Sequence, residues 1–247
     1  MNSSTLWKRD SPAWLALVLL SGLAAASHQG FAQDADSQQR IAELKAASAQ
    51  NKQNLATYTW QEQDTISIKG EVKKQESFQV RMGADGKPAK TPLNPAATPA
   101  PPSQAGGRGG RLKEKVIENK KEEFHDYAQS VAALAHSYSP PDPAKLQQAQ
   151  QQGNVKMSPG ATPDEVQIVI SNYNKPNDSM TIAFDKTAKA IQSVKIASYL
   201  DSPKDAVNVT VQFSKLPDGT NHVANMVVDG VSKQLKVQIG NSGYTKM

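Results

Sequence analysis

The chain has 247 residues, 38% of them hydrophobic and 21% charged, with a formal net charge of +5 and no cysteine. That balance supports a packed core and excludes a wholly disordered or fibrous chain. The absence of thiols excludes disulfides, thiol nucleophiles, cysteine zinc sites and lipid attachment through an N-terminal cysteine.

The first segment reads as an export signal. Lys8 and Arg9 precede the unbroken apolar and small-residue run Leu15–Ala26. At twelve residues this run is well short of the roughly twenty that a membrane helix needs. Gly30 and Ala32 place small residues where a signal peptidase reads them, so residues 1–32 are expected to be a signal peptide cleaved after Ala32. Cleavage after Ala26 is the alternative. No second apolar run of this length follows, so residues 33–247 are expected to be periplasmic and not a lipoprotein.

Asp36–Leu55 reads as a helix, with Ile41, Leu44, Ser48 and Leu55 near one stripe and Asp34 or Asp36 as cap. The period then changes to two. Tyr58, Trp60, Ile66 and Ile68 alternate with polar residues, as do Phe78, Val80 and Met82, which predicts two antiparallel strands joined near Gly70. In 83–111, twelve of 29 residues are Gly or Pro and the only acid is Asp85. Such a stretch has little apolar surface to offset its ordering entropy, so a flexible Pro/Gly-rich loop is expected across 83–111.

Leu112–Tyr138 carries the strongest helical pattern. Ile117, Phe124, Val131 and Tyr138 recur every seven residues, and Pro140-Pro141 ends the run. A shorter, glutamine-rich helix is expected over Pro143–Gln152, with Gly153 past its end. From Asp164 the chain reads as a meander of six strands. They centre on 166–170, 180–184, 191–196, 207–213, 222–228 and 235–239, and turn-forming segments such as Pro217-Asp-Gly219 separate them. The fold class is therefore α+β. A curved antiparallel β-meander of about eight strands forms an unclosed half-barrel, with two or three helices on one face, in one domain over 33–247.

Chemistry-bearing patterns are few. His125 and His136 share a predicted helix but stand about 16 Å apart along its axis, too far for one metal. Glu122 and His125 have the Glu-x-x-His spacing of di-iron bundles, yet the shorter helix supplies no carboxylate to complete such a site. No nucleophile elbow, phosphate loop or calcium loop is present. The expectation is a non-enzymatic protein without metal or cofactor. Arg108, Arg111, Lys113 and Lys115 head a basic stretch running to Lys121, without the interleaved aromatics that nucleic-acid binding wants. An envelope protein or anionic headgroups would suit it better, and a solvated helix start is the plain alternative. Trp60, Phe78, Met82, Met180, Phe184, Phe213 and Met226 all fall on or beside apolar strand faces. They read either as ordinary core or as the wall of a groove for an apolar ligand.

The order of elements, with stretches such as Tyr58-Thr-Trp60 and Gly83-Ala-Asp-Gly-Lys-Pro-Ala-Lys-Thr-Pro-Leu93, resembles periplasmic lipoprotein-carrier proteins of the LolA/LolB type over residues 36–245. That resemblance implies an unclosed β-barrel, covered by helices, that holds acyl chains of a lipid or lipoprotein. Two functions follow as expectations. One is an apolar groove binding a lipid or acyl chain. The other is an envelope scaffold that uses the basic segment 108–121.

Overall fold

The computed structural model of the chain describes residues 49–84, 86–93, 110–138 and 143–247; within these, the side chains of 110–121, 143, 144 and 147 are left aside. The expected signal peptide, residues 36–48 of the first predicted helix, and 94–109 of the predicted loop lie outside the described residues. A helix α1 covers 49–55. Three strands follow: β1 (Tyr58–Ile68), β2 (Glu71–Met82) and β3 (Pro88–Pro92). Two helices come next, α2 (Gly110–His136) and α3 (Pro143–Gln151). The chain then runs as seven strands: β4 (Val155–Pro159), β5 (Glu165–Ser171), β6 (Ser179–Asp185), β7 (Ala190–Tyr199), β8 (Ala206–Lys215), β9 (Asn221–Gly230) and β10 (Leu235–Lys246).

The strands make one antiparallel sheet in the order β3-β2-β1-β10-β9-β8-β7-β6-β5-β4, open at β3 and at β4. The fold is mostly β, with ten strands where the sequence pattern predicts about eight. The two additional strands are the two edges. β3 lies inside the segment expected to be loop from 83 to 111, so that expectation is corrected over Pro88–Pro92. β4 precedes the point where the meander was expected to begin. Both are five residues long and end in proline, and each pairs with a single neighbour. Proline fits an edge because an edge strand has amides with no ladder partner.

Alternation sets which side of the sheet is covered. Val207, Val209 and Val211 on β8, Met226 and Val228 on β9, and Leu235, Val237 and Ile239 on β10 are all buried and mutually in register. They form one core with Tyr127, Val131, Leu134, Ala135 and Tyr138 of α2 and Leu146 and Ala149 of α3. Burying each large apolar side chain is worth about 1.5–3 kcal/mol, so this layer supplies most of the drive to fold. The β1–β2 connection is a two-residue turn with positive φ at Lys69 (53°) and Gly70 (80°). That is the mirror-image turn whose twist suits a hairpin, and glycine takes its second position without steric cost.

The end of α2 is fixed by one buried carboxylate. Asp178 in the β5–β6 loop accepts hydrogen bonds from the backbone amides of Tyr173 (2.6 Å), Asn174 (2.9 Å) and Lys175 (2.8 Å), and from the Tyr138 hydroxyl. Tyr138 Oη also stands 2.7 Å from Ser198 Oγ on β7. The loop is braced further by Lys175, whose ammonium donates to the carbonyls of Tyr199 (2.7 Å) and Leu200. Replacing Asp178 with Ala leaves three buried or part-buried amides without their acceptor, each at about 1–3 kcal/mol, and leaves the Tyr138 phenol with Ser198 alone. A loss of about 3–5 kcal/mol is expected from the urea midpoint of Asp178→Ala at unchanged m-value, against a smaller loss for Asp178→Asn; a midpoint shift under 1 kcal/mol would show that the loop holds without it.

Candidate functional site

On β1 the residues that point to the covered side are the even-numbered ones. Trp60, Ile66 and Ile68 continue the apolar layer, but Glu62 and Asp64 share their phase. Across the ladder, Val80 lies opposite Trp60 and Phe78 opposite Glu62 on β2, and Lys90 of β3 lies opposite Val80. The register therefore brings two carboxylates and one ammonium together on the face that elsewhere is apolar. Lys90 Nζ bonds Glu62 Oε1 and stands 3.6 Å from Asp64 Oδ2. All three side chains are nearly buried, with 11%, 8% and 14% of their surfaces exposed for Lys90, Glu62 and Asp64. The same ammonium sits over the Phe78 ring, 5.4 Å from its centroid.

An aromatic group closes one side of this ionic cluster. The Trp60 and Tyr244 rings stack at 5.4 Å, and the Trp60 indole N–H donates to Asn241 Oδ1 at 3.1 Å. The His222 ring lies 4.2 Å from Tyr244. A register shift in β10 opposite Trp60 brings Tyr244 beside it. Burial and the Glu62 carboxylate raise the Tyr244 pKa, and burial lowers that of His222, so both rings stay neutral near pH 7.

Two carboxylates against one ammonium leave one negative charge in excess in a poorly solvated place. Burial is the main force pushing the Asp64 carboxyl up to about 7; Lys90 opposes the rise and Glu62 adds to it. A proton on Asp64 neutralises the cluster. Asp64 Oδ1 is buried and has no hydrogen-bond partner among the described residues. The ionic cluster fastens the edge: Lys90 is the one side chain of β3 that reaches the Glu62–Asp64 pair, and the strand has little apolar surface to hold it otherwise.

The seven side chains expected to line a groove divide between two places. Trp60, Phe78 and Met82 belong to the small cluster with Val80 and Tyr244. Met180 and Met226 are deep in the main core, 2% and 4% exposed, and Phe213 packs half-buried at its rim. Phe184 is half-buried and joins neither cluster. Around the main core runs a rim of half-buried apolar side chains, including Ile66, Ile68, Phe124, Ile191, Phe213 and Val223. Arg108 lies outside the described residues; Arg111, Lys113 and Lys115 fall in the first turns of α2, where side chains are left aside. His125 is half-exposed with a ring nitrogen 3.2 Å from Gln129 Nε2.

Glu62, Asp64 and Lys90 were not among the residues singled out from the sequence. A signal for the first two was present: both acids fall on the apolar phase of a strand that begins Tyr58, Trp60 and resumes at Ile66, Ile68. No comparable signal marks Lys90, in a segment dominated by Pro and Gly.

No family model matches the chain, and no curated protein does. Among solved structures, the chain is similar to a DUF1329 family protein from Desulfovibrio piger, at 12% identity and a TM-score of 0.40, over 83% of this chain and 92% of that one.

The ionic cluster makes stability depend on pH with a definite sign. Folded Asp64 keeps its proton up to about 7, whereas an unfolded aspartate releases it near 3.9. Between those values the native state binds more protons, so stability falls as pH rises. The expected loss is about 2 kcal/mol between pH 5 and pH 7. Asp64→Asn should flatten this slope and exceed the parent in denaturant resistance at pH 8. An unchanged slope in the variant would assign the pH dependence to other groups.

Proposed function

We propose that the protein is a non-enzymatic, exported protein of the cell envelope that binds an acyl chain or similar apolar ligand between α2–α3 and the covered face of the sheet. The observation that carries this reading is the apolar rim. The helices bury the centre of the face completely, yet Ile66 and Ile68 on β1, Phe124 on α2, Ile191 on β7 and Phe213 on β8 remain half-buried around it. Apolar surface thus extends past the helices that cover it. An apolar chain slid along that rim would remove further area from water at about 25 cal/mol per Å². Methionines 180 and 226 in the adjoining core are unbranched and can repack around an incoming chain.

The open antiparallel sheet fits the resemblance to lipoprotein carriers of the LolA/LolB type, and the Leu15–Ala26 signal pattern fits an envelope location. The Trp60–Phe78–Val80 cluster is separate from the core under α2 and has its own polar fastening, so it is read as packing and not as groove wall.

This reading expects delipidated mature protein to take up a fluorescent fatty-acid probe and release it to unlabelled fatty acid. It also expects native mass spectrometry of protein from its own host to show a lipid adduct. Trp60, the only tryptophan left after residue 32, should emit in the blue-shifted range of a buried indole and hold that emission through the titration. Failure of probe uptake together with lipid-free native protein would overturn the proposal. A Trp60 shift on loading would move the ligand to the β1–β3 end.

A further inference from the structure

Tyr127 on α2 is 91% buried, being 9% exposed, and its hydroxyl has no hydrogen-bond partner among the described residues. A buried orphan hydroxyl is unfavourable, and a phenylalanine would fill the same volume without that cost. Packing therefore accounts for the ring and not for the oxygen. The oxygen lies against Gly230 at the end of β9. A Cβ built on Gly230 would stand 2.6 Å from Tyr127 Oη and 3.0 Å from the nearest ring carbon. Gly230 is paired with Val207 and Leu235, both 1% exposed, so the floor around the hydroxyl is apolar.

The mouth of this place carries an exposed ion pair and an aromatic ring. Lys233, in the β9–β10 turn three residues past Gly230, forms an ion pair with Glu123, one helical turn before Tyr127. Lys233 is also within electrostatic reach of Tyr127. The pair is exposed, 42% for Lys233 and 64% for Glu123, and exposed pairs exchange partners readily. The Phe124 ring, part of the apolar rim, lies 6.5 Å from the Tyr127 ring. A buried hydroxyl donor, an ammonium in an exposed ion pair and an apolar floor together match one kind of molecule: a single-chain amphiphile with an anionic carboxylate head.

We infer that Tyr127 and Lys233 form the head-group subsite for a fatty carboxylate, the phenol donating a hydrogen bond to one carboxylate oxygen, Lys233 pairing with the charge, and the chain running along the rim past Phe124. This rests on the reading that an acyl chain lies on the covered face, and adds which head it carries and where that head is held. Gly230 is a positioning residue, since any side chain there fills the space beside the hydroxyl.

The test compares two probes on the delipidated mature protein: dodecanoate, and dodecanol, which has the same chain and no charge. Displacement of a fluorescent acyl probe gives both affinities. The parent should prefer dodecanoate. Tyr127→Phe should weaken dodecanoate roughly tenfold to a hundredfold, the range for one hydrogen bond to a charged group, and change dodecanol less than about twofold. Lys233→Gln should weaken dodecanoate alone and reduce the salt dependence of its binding. Tyr127→Phe should melt no lower than the parent, because the hydroxyl contributes no internal bond. Should both probes bind the parent and Tyr127→Phe leave their ratio unchanged, the subsite is wrong while the acyl-binding reading stands. Should neither probe bind the parent, the subsite is overturned, and the acyl-binding reading falls with it where the native protein is also lipid-free.

Discussion

The pairing of β1 with β10 is the constraint on which the rest of the structure depends. It joins a strand that begins at Tyr58 to one that ends at Lys246 and runs antiparallel along the length of β1. Without it the hairpin β1–β2 and the meander β4–β10 would be two separate sheets, each with an additional open edge. The pairing also sets phase. A slip by one residue would turn Glu62 and Asp64 to the open side and Gln61 and Gln63 toward the core. Trp60 would lose Asn241 as hydrogen-bond acceptor and Tyr244 as stacking partner, because both are on β10. The contact is also among the most distant in sequence, so it forms late in entropy terms: the intervening chain must already be compact before the two strands gain by meeting.

What the sequence made legible, and what it did not, follows from where apolar phase is strong. The six strands from Glu165 onward, the β1–β2 hairpin and the body of α2 each have a side that must be dry, and a dry side imposes a period. Edge strands have no such obligation. Val155 and Met157 on β4 are aligned with the covered face, yet Met157 is 70% exposed. On β3, the side chain that matters is Lys90, whose contribution is a charge. Periodicity in hydrophobicity cannot register a strand anchored by an ammonium. The ionic cluster was half legible for the same reason: Glu62 and Asp64 break the phase of β1, and a break in phase is visible, but its partner comes from a segment without phase. Tyr127 stands beside Phe124, Val131 and Tyr138, whose stripe was legible. Its unpaired hydroxyl was not, since that depends on Gly230, which meets it through the tertiary fold alone.

Two acids on the covered side are partnered to different degrees. Asp178 gathers three amides and a phenol around itself and so holds a loop in one shape. Burial pushes Asp64 toward the acid; it shares an ammonium on one oxygen and has no hydrogen-bond partner among the described residues on the other. The first arrangement is a fully satisfied network and rigidifies what it touches. The second is partly satisfied, and its state follows pH near neutrality. The sheet is thus firmly organised beside β5 and β6, and titratable at the β3 edge.

The same asymmetry runs along α2. Its C-terminal end is fixed three times over: Tyr138 to Asp178, Tyr138 beside Ser198, and the Ser137 carbonyl and hydroxyl to the Asn174 amide at 3.1 and 3.0 Å. Eleven residues earlier, near Tyr127, an exposed ion pair joins Glu123 to Lys233. The intervening turns are held by Val131, Leu134 and Ala135, whose attraction to the sheet is non-directional and tolerates a small displacement. Lifting the Tyr138 end would orphan a buried carboxylate's donors. The directional bonds therefore gather at that end, while the half-buried Phe124 ring and the Tyr127 hydroxyl stand one to two turns before Val131, against the apolar layer.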